Sequence, residues 1–191
     1  MNSYLKSGDF TTPTQERVIE NPLIKDRITF IKTSEETNGQ YLLAQLELAP
    51  HGGNPMHYHT TFTEKFEAVT GQLHVMVKGE HKVLEPGQSA LVPLLAHHRF
   101  FNPSDTPVTA LIEVRPARQF EEMLRIAYGL ARDGKTNAQA LPKSIWHLAL
   151  LFQISESYTP GLPLPIQRIV FGLLASIARF LGKDKELEKY L

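Results

Sequence analysis

The stretch Gly52–Gly71, GGNPMHYHTTFTEKFEAVTG, decides how this chain is read. His57 and His59 stand two apart in it. On a strand, residues i and i+2 point to the same side, so both imidazoles can face one metal ion. Glu64 follows His59 by five residues, an odd offset that faces away if the strand simply continues. The polar run Thr60 to Thr63 can turn the chain, so that Glu64 enters a further strand and returns to the same point. His97 or His98, two strands further along, can supply a third imidazole. Three neutral imidazoles and one carboxylate suit Mn, Fe, Co, Ni, Cu or Zn, and the chain has no cysteine to narrow the choice.

Working outward, the same period of two recurs on both sides. Leu42, Ala44, Leu46 and Leu48 share one face of a run from Tyr41 to Leu48, and Ile28 and Phe30 alternate before it. Further strands are expected near 65–70, 72–78, 82–84, 89–92, 98–101 and 107–114, separated by turns at Gly71, Gly79-Glu80, Pro86-Gly87 and Asn102 to Asp105. Short strands at this spacing predict an antiparallel sandwich or small barrel. After Pro116 the period changes: Phe120, Met123, Leu124, Ala127, Leu130 and Ala131 predict a helix that ends at Asp133-Gly134. A second apolar segment spans Ile145 to Ile154. A third helix opens at Pro165, with Ile166, Ile169, Val170, Leu173, Leu174, Ile177 and Leu181 on one face. The expected organisation is an extended arm over 1–26, a β-barrel over 27–116 and a helical extension over 117–191.

The glycines and prolines around the histidines fall into a wider pattern, which resembles the cupin superfamily. Its first motif, G-x5-H-x-H-x(3,4)-E-x6-G, is met by His57, His59, Glu64 and Gly71. Its second, G-x5-P-x-G-x2-H-x3-N, is met by Gly87, Pro93, His98 and Asn102. The chain departs from these motifs twice: His51 stands where the first begins with glycine, and Leu95 stands at the internal glycine of the second. Leucine tolerates positive φ poorly, so the turn before His98 is expected to be reshaped. The resemblance covers roughly residues 40 to 115. It implies a mainly β fold, a double-stranded β-helix or jelly-roll barrel, with a divalent transition metal on His57, His59, Glu64 and His98. It also implies a homodimer, for which the strands at 28–31 and 41–48 are the candidate contacts. Strand parity agrees with His98 over His97, brings Phe66 and Phe100 inward, and makes these two and Glu113 candidates for a substrate pocket. Glu67 is a rival carboxylate of the wrong parity.

Composition limits the remaining functions. Twenty basic and twenty acidic residues balance to zero formal charge, which argues against a nucleic-acid partner. Without cysteine there is no disulfide framework, thiolate site or Cys nucleophile. No signal-like apolar run opens the chain, so a cytoplasmic location is expected. The stretch 166–181 is interrupted by Gln167, Arg168, Ser176 and Arg179, too short and too polar to span a membrane. It is expected to pack on the barrel or across a dimer interface rather than to lie on a lipid surface. The expected function is a metal-dependent enzyme, a dioxygenase or isomerase with a small organic ligand. The alternative is a non-enzymatic sensor or storage barrel that binds a small molecule.

Overall fold

The computed structural model describes residues 16–191. Its strands in chain order are β1 (Val18–Asn21), β2 (Asp26–Lys32), β3 (Leu42–Leu48), β4 (Tyr58–His59), β5 (Thr63–Thr70), β6 (Leu73–Val77), β7 (Glu80–Leu84), β8 (Ser89–Val92), β9 (His98–Phe101) and β10 (Val108–Arg115). Helices α1 (Phe120–Arg132) and α2 (Ile145–Ser155), the two-residue strand β11 (Ser157–Tyr158) and helix α3 (Leu164–Phe180) follow. Six strands form one antiparallel sheet in the order β1-β2-β3-β10-β5-β8, three form a second in the order β7-β6-β9, and β11 pairs with β4. This is a jelly-roll arrangement followed by helices.

The core follows from the alternation. Leu42, Ala44, Leu46 and Leu48 of β3 are almost fully buried, as are Phe66 and Ala68 of β5 and Val75 of β6. Their neighbours Leu43, Gln45 and Glu47 lie on the outer face, half-buried. Phe66 on the large sheet meets Phe100 on the small one, with ring centroids 5.6 Å apart, so the two inner faces close on each other. Within the described part of the expected arm, Val18–Asn21 pairs with β2 as an edge strand; the rest, residues 1–15, lies outside the described residues. Both β2 and β3 are flanked on each side by other strands. Neither has a free edge to extend its sheet into a second copy.

Positive φ recurs at the motif positions. Gly71 and Gly87 have φ of +69° and +85°, and the two substituted positions do the same, His51 at +57° and Leu95 at +62°. The expected reshaping of the turn before His98 is therefore corrected. The hydrogen bonds Leu95 N to His59 O (2.8 Å) and Ala96 N to Pro93 O (3.2 Å) hold the turn, and leucine bears the left-handed backbone. The motif residue Asn102 is buried, and its Nδ2 donates to the carbonyls of Leu48, Ala49 and Thr106, tying the end of β3 to the loop after β9.

The helices pack as a second layer. Ile126 and Leu130 of α1, Ala149 and Leu150 of α2, and Ala175 and Ala178 of α3 form a core of their own. Phe152 stacks on Phe171 at 4.3 Å. The apolar stripe of the last helix, expected to pack on the barrel or across a dimer interface, does not pack on the barrel. The small residues Ala175 and Ala178 let α3 approach α2 along a different face, which leaves Ile169 70% and Leu173 63% exposed. Among the described residues no helix is long and apolar enough to cross a membrane.

Candidate metal centre

His57 and His98 face each other across an antiparallel bridge, with His98 N donating to His57 O (2.8 Å) and His57 N to His98 O (3.0 Å). The segment before His57 is clamped to β9. Asn54 Oδ1 accepts from Phe100 N at 2.9 Å, and a Cβ on Gly53 would stand 2.7 Å from the Phe100 carbonyl oxygen, so only glycine fits this close approach. His59 leaves the same side of the chain as His57, with their ring centroids 4.8 Å apart. The chain then turns, and Phe62 packs on the His59 ring at 4.1 Å. Glu64 enters β5 on the inner face with Phe66 and Ala68. The four donor atoms of His57, His59, Glu64 and His98 lie within 4.8 Å of one another.

The outer nitrogen of each imidazole is already engaged. His57 Nδ1 donates to Pro55 O and His98 Nδ1 to Ala96 O, both at 2.9 Å. His59 Nδ1 lies 2.9 Å from Ser157 Oγ. That hydroxyl has one proton, which it donates to Ser155 O at 2.9 Å, so it accepts from His59 Nδ1–H. All three rings are thus fixed with Nε2 as the nitrogen for the cluster. Glu64 Oε2 sits 2.7 Å from His98 Nε2 and 3.2 Å from His59 Nε2.

The charges answer to this packing. Burial opposes ionisation of Glu64, but His59 and His98 together hold its carboxyl well below the usual range. His98 is pulled down by burial yet ends above its ordinary value because Glu64 accepts its hydrogen bond. Burial in the wall, then His98 and His59, push His57 down to about 3, so its imidazole is neutral and its lone pair free. Three fixed nitrogen donors and one ionised oxygen, close together and with no sulfur, fit a divalent transition metal.

The cluster opens on a cavity of about 200 Å³, whose wall includes His57, His59 and Glu64. Ile28, Phe100 and Ile112 of the barrel, Phe120 and Met123 of α1, and Phe152 of α2 supply its apolar sides. The sequence-predicted residues divide as follows. His57, His59, Glu64 and His98 come together, and Phe100 lines the cavity. Phe66 is fully buried among the core rings, with its ring 6.5 Å from His98. Glu113 is a correction: it lies on the outer face of β10, opposite to Ile112, and pairs with Arg115 at 2.6 Å. Its parity follows that of Leu43 and Lys65, its cross-strand partners on that face. Glu67 is also outside, paired with Lys65 at 2.9 Å, and His97 is exposed.

Two parts of the site escape a sequence reading. Ser157 reaches His59 from 98 residues away, because β11 pairs with β4 and carries it there. On another part of the cavity wall, Tyr128 of α1 donates to Asp26 Oδ2 at 2.5 Å, while Asp26 Oδ1 is buried without a partner. Burial pushes the Asp26 carboxyl up to about 7 against the opposing bond from Tyr128. Of the other histidines, His74 and His81 bond each other at 3.0 Å on the outer sheet, His51 meets Asp105, and His147 meets Glu186.

Residues 44–114 match the family model described as a cupin domain. Among curated proteins none matches the sequence. An RmlC-like cupin from Shewanella frigidimarina is 23% identical with a TM-score of 0.47, over 59% of this chain and 94% of that one. A sugar phosphate isomerase of the cupin superfamily from Silicibacter pomeroyi is 20% identical with a TM-score of 0.44, and the match takes in 50% of this chain and 62% of the isomerase. A predicted oxalate decarboxylase from Thermotoga maritima is 16% identical with a TM-score of 0.46, over 48% and 80% of the two chains. Both ordered motifs and strands β4 to β9 of the jelly roll fall on the segment that the cupin-domain model matches, residues 44–114.

Proposed function

We propose that the protein is a metal-dependent enzyme of the dioxygenase type, acting on a small and mostly apolar oxygenated molecule. The observation that carries this reading is the convergence of four donors within 4.8 Å, with every outer imidazole nitrogen engaged and one side open to the cavity. His57, His59, Glu64 and His98 would hold the metal, which supplies a Lewis acid and a site for activating oxygen. The chain's own contribution is orientation and exclusion of water: Phe100, Phe120 and Phe152 wall the cavity with rings.

Its volume of about 200 Å³ limits the ligand to a compact molecule, somewhat larger than the benzene that a 150 Å³ apolar cavity accepts. Isomerisation needs a proton-transfer group beside the metal. The cavity's remaining carboxyl, Asp26, is level with Leu48 at one end of β3, whereas Glu64 is level with Leu42 at the other. Asp26 therefore does not stand beside the metal ligands, which favours oxidation over isomerisation. Oxygen consumption by metal-loaded protein, measured with a panel of single-ring phenols, enols and small acids, tests the proposal. Uptake that depends on both metal and ligand is expected. Tight ligand binding without uptake would instead make this a binding barrel.

A further inference from the structure

Helix α3 presents a surface the metal centre does not use. Along α3, Ile166, Ile169, Val170, Leu173, Ile177 and Phe180 stand between 37% and 90% exposed, Phe180 the most. At 100° per residue these six form one continuous stripe, and the helix packs on α2 through a separate face. Its placement is rigid. The buried Gln167 accepts from Thr159 N and donates to the carbonyls of Thr159 and Leu162, pinning the loop that joins α3 to β11.

Charge distinguishes this segment from the rest of a balanced chain. Residues 157–183 contain no Asp or Glu, but they contain Arg168, Arg179 and Lys183. We propose that α3 is an interfacial helix whose exposed stripe seats the protein on an anionic lipid surface.

A second copy of the chain suits the stripe less well. At 100° per residue Arg168 and Arg179 lie on the side of the helix away from the stripe, so no charge pair would join two copies across it. The area is also too small. Seventeen residues make a helix about 25 Å long, and a stripe roughly 10 Å wide offers roughly 250 Å², against about 800 Å² per partner in a stable interface. A lipid surface needs no such area, because the apolar face enters the headgroup boundary while Arg168 and Arg179 on the polar face reach back to lipid phosphates; Lys183 is paired with Glu186 at 2.6 Å.

The test is flotation of the full chain with vesicles of phosphatidylcholine, with and without phosphatidylglycerol. Wild type is expected to float with the anionic vesicles and on the order of ten-fold less with the neutral ones. The double variant Leu173→Glu, Phe180→Glu is expected to stay in the soluble fraction with an unchanged circular dichroism spectrum, since both side chains lie in solvent. Should that variant misfold, Phe180→Trp supplies an independent readout, and the emission of the introduced indole is expected to shift blue when anionic vesicles are added. Wild type that floats with neither vesicle, an emission from the Phe180→Trp variant that does not move, or a double variant that floats like wild type overturns the proposal. So does a dimer in sedimentation that the same double substitution dissolves, which would assign the stripe to a second copy.

Discussion

Replacing Ser157 by alanine is predicted to weaken metal binding by 10- to 100-fold, although the residue touches no metal. The hydroxyl is the acceptor for His59 Nδ1–H, and its own proton is committed to Ser155 O. His59 is only 3% exposed, so no water replaces the lost partner without rearrangement. An orphaned buried donor costs about 1–3 kcal/mol. Loss of the partner that orients a metal-binding imidazole costs a comparable 10- to 100-fold in affinity. The two routes give the same size of effect because both describe the imidazole losing its fixed tautomer and orientation. Competition against a chelator of known affinity measures the change in purified wild type, Ser157→Ala and Ser157→Thr. Threonine keeps the hydroxyl and is expected to recover most of the affinity. Wild-type affinity in Ser157→Ala, within about two-fold, would refute the reasoning that β11 sets the orientation of His59.

Asp26→Asn is expected to flatten the pH dependence of stability between about pH 4 and pH 7. The folded carboxyl is raised from 3.8 to about 7, so the folded state binds the proton more tightly than the unfolded one. Stability from this group is therefore full below pH 4 and lost as pH rises to about 7, by at most about 4 kcal/mol; melting curves across that range check it. Leu95→Gly is expected to stabilise by about 1 kcal/mol, raising the melting temperature by about 2–4 °C, because φ of +62° suits glycine and the leucine is 59% exposed. A fall in stability would show that the leucine side chain contributes packing. Glu113→Gln is expected to leave metal content and ligand binding unchanged, since its partner is Arg115 on the outer face, and elemental analysis with ligand titration checks both.

The barrel and its ligand set are legible because they are written in local spacing. His57 and His59 share a side by parity, Glu64 returns after one turn, and His98 differs from His97 by one residue of register. Each is a statement about a few adjacent residues. Ser157 and the Asp26–Tyr128 pair are not legible, because their partners lie 98 and 102 residues apart and nothing local marks a serine after Glu156 as a histidine's acceptor. Glu113 is misplaced when a carboxylate near the barrel is taken as inward, since its neighbours Ile112 and Val114 occupy that side. The α3 stripe shows the limit of periodicity. An apolar face in the sequence states which residues group together, but Ala175 and Ala178 decide which face meets α2. At Leu95, backbone strain reads as a reason for the turn to change, whereas the turn's hydrogen bonds outweigh the cost of about 1–2 kcal/mol.

Metal content tests the central claim most directly. Protein purified without a chelating tag and offered Mn, Fe, Co, Ni, Cu and Zn is analysed by elemental mass spectrometry, beside His57→Ala and His98→Ala. Wild type is predicted to retain roughly one transition-metal ion per chain, and both variants to lose it while keeping the wild-type fold by circular dichroism. Wild type that stays metal-free with every ion, or variants that retain the metal in full, would contradict the account.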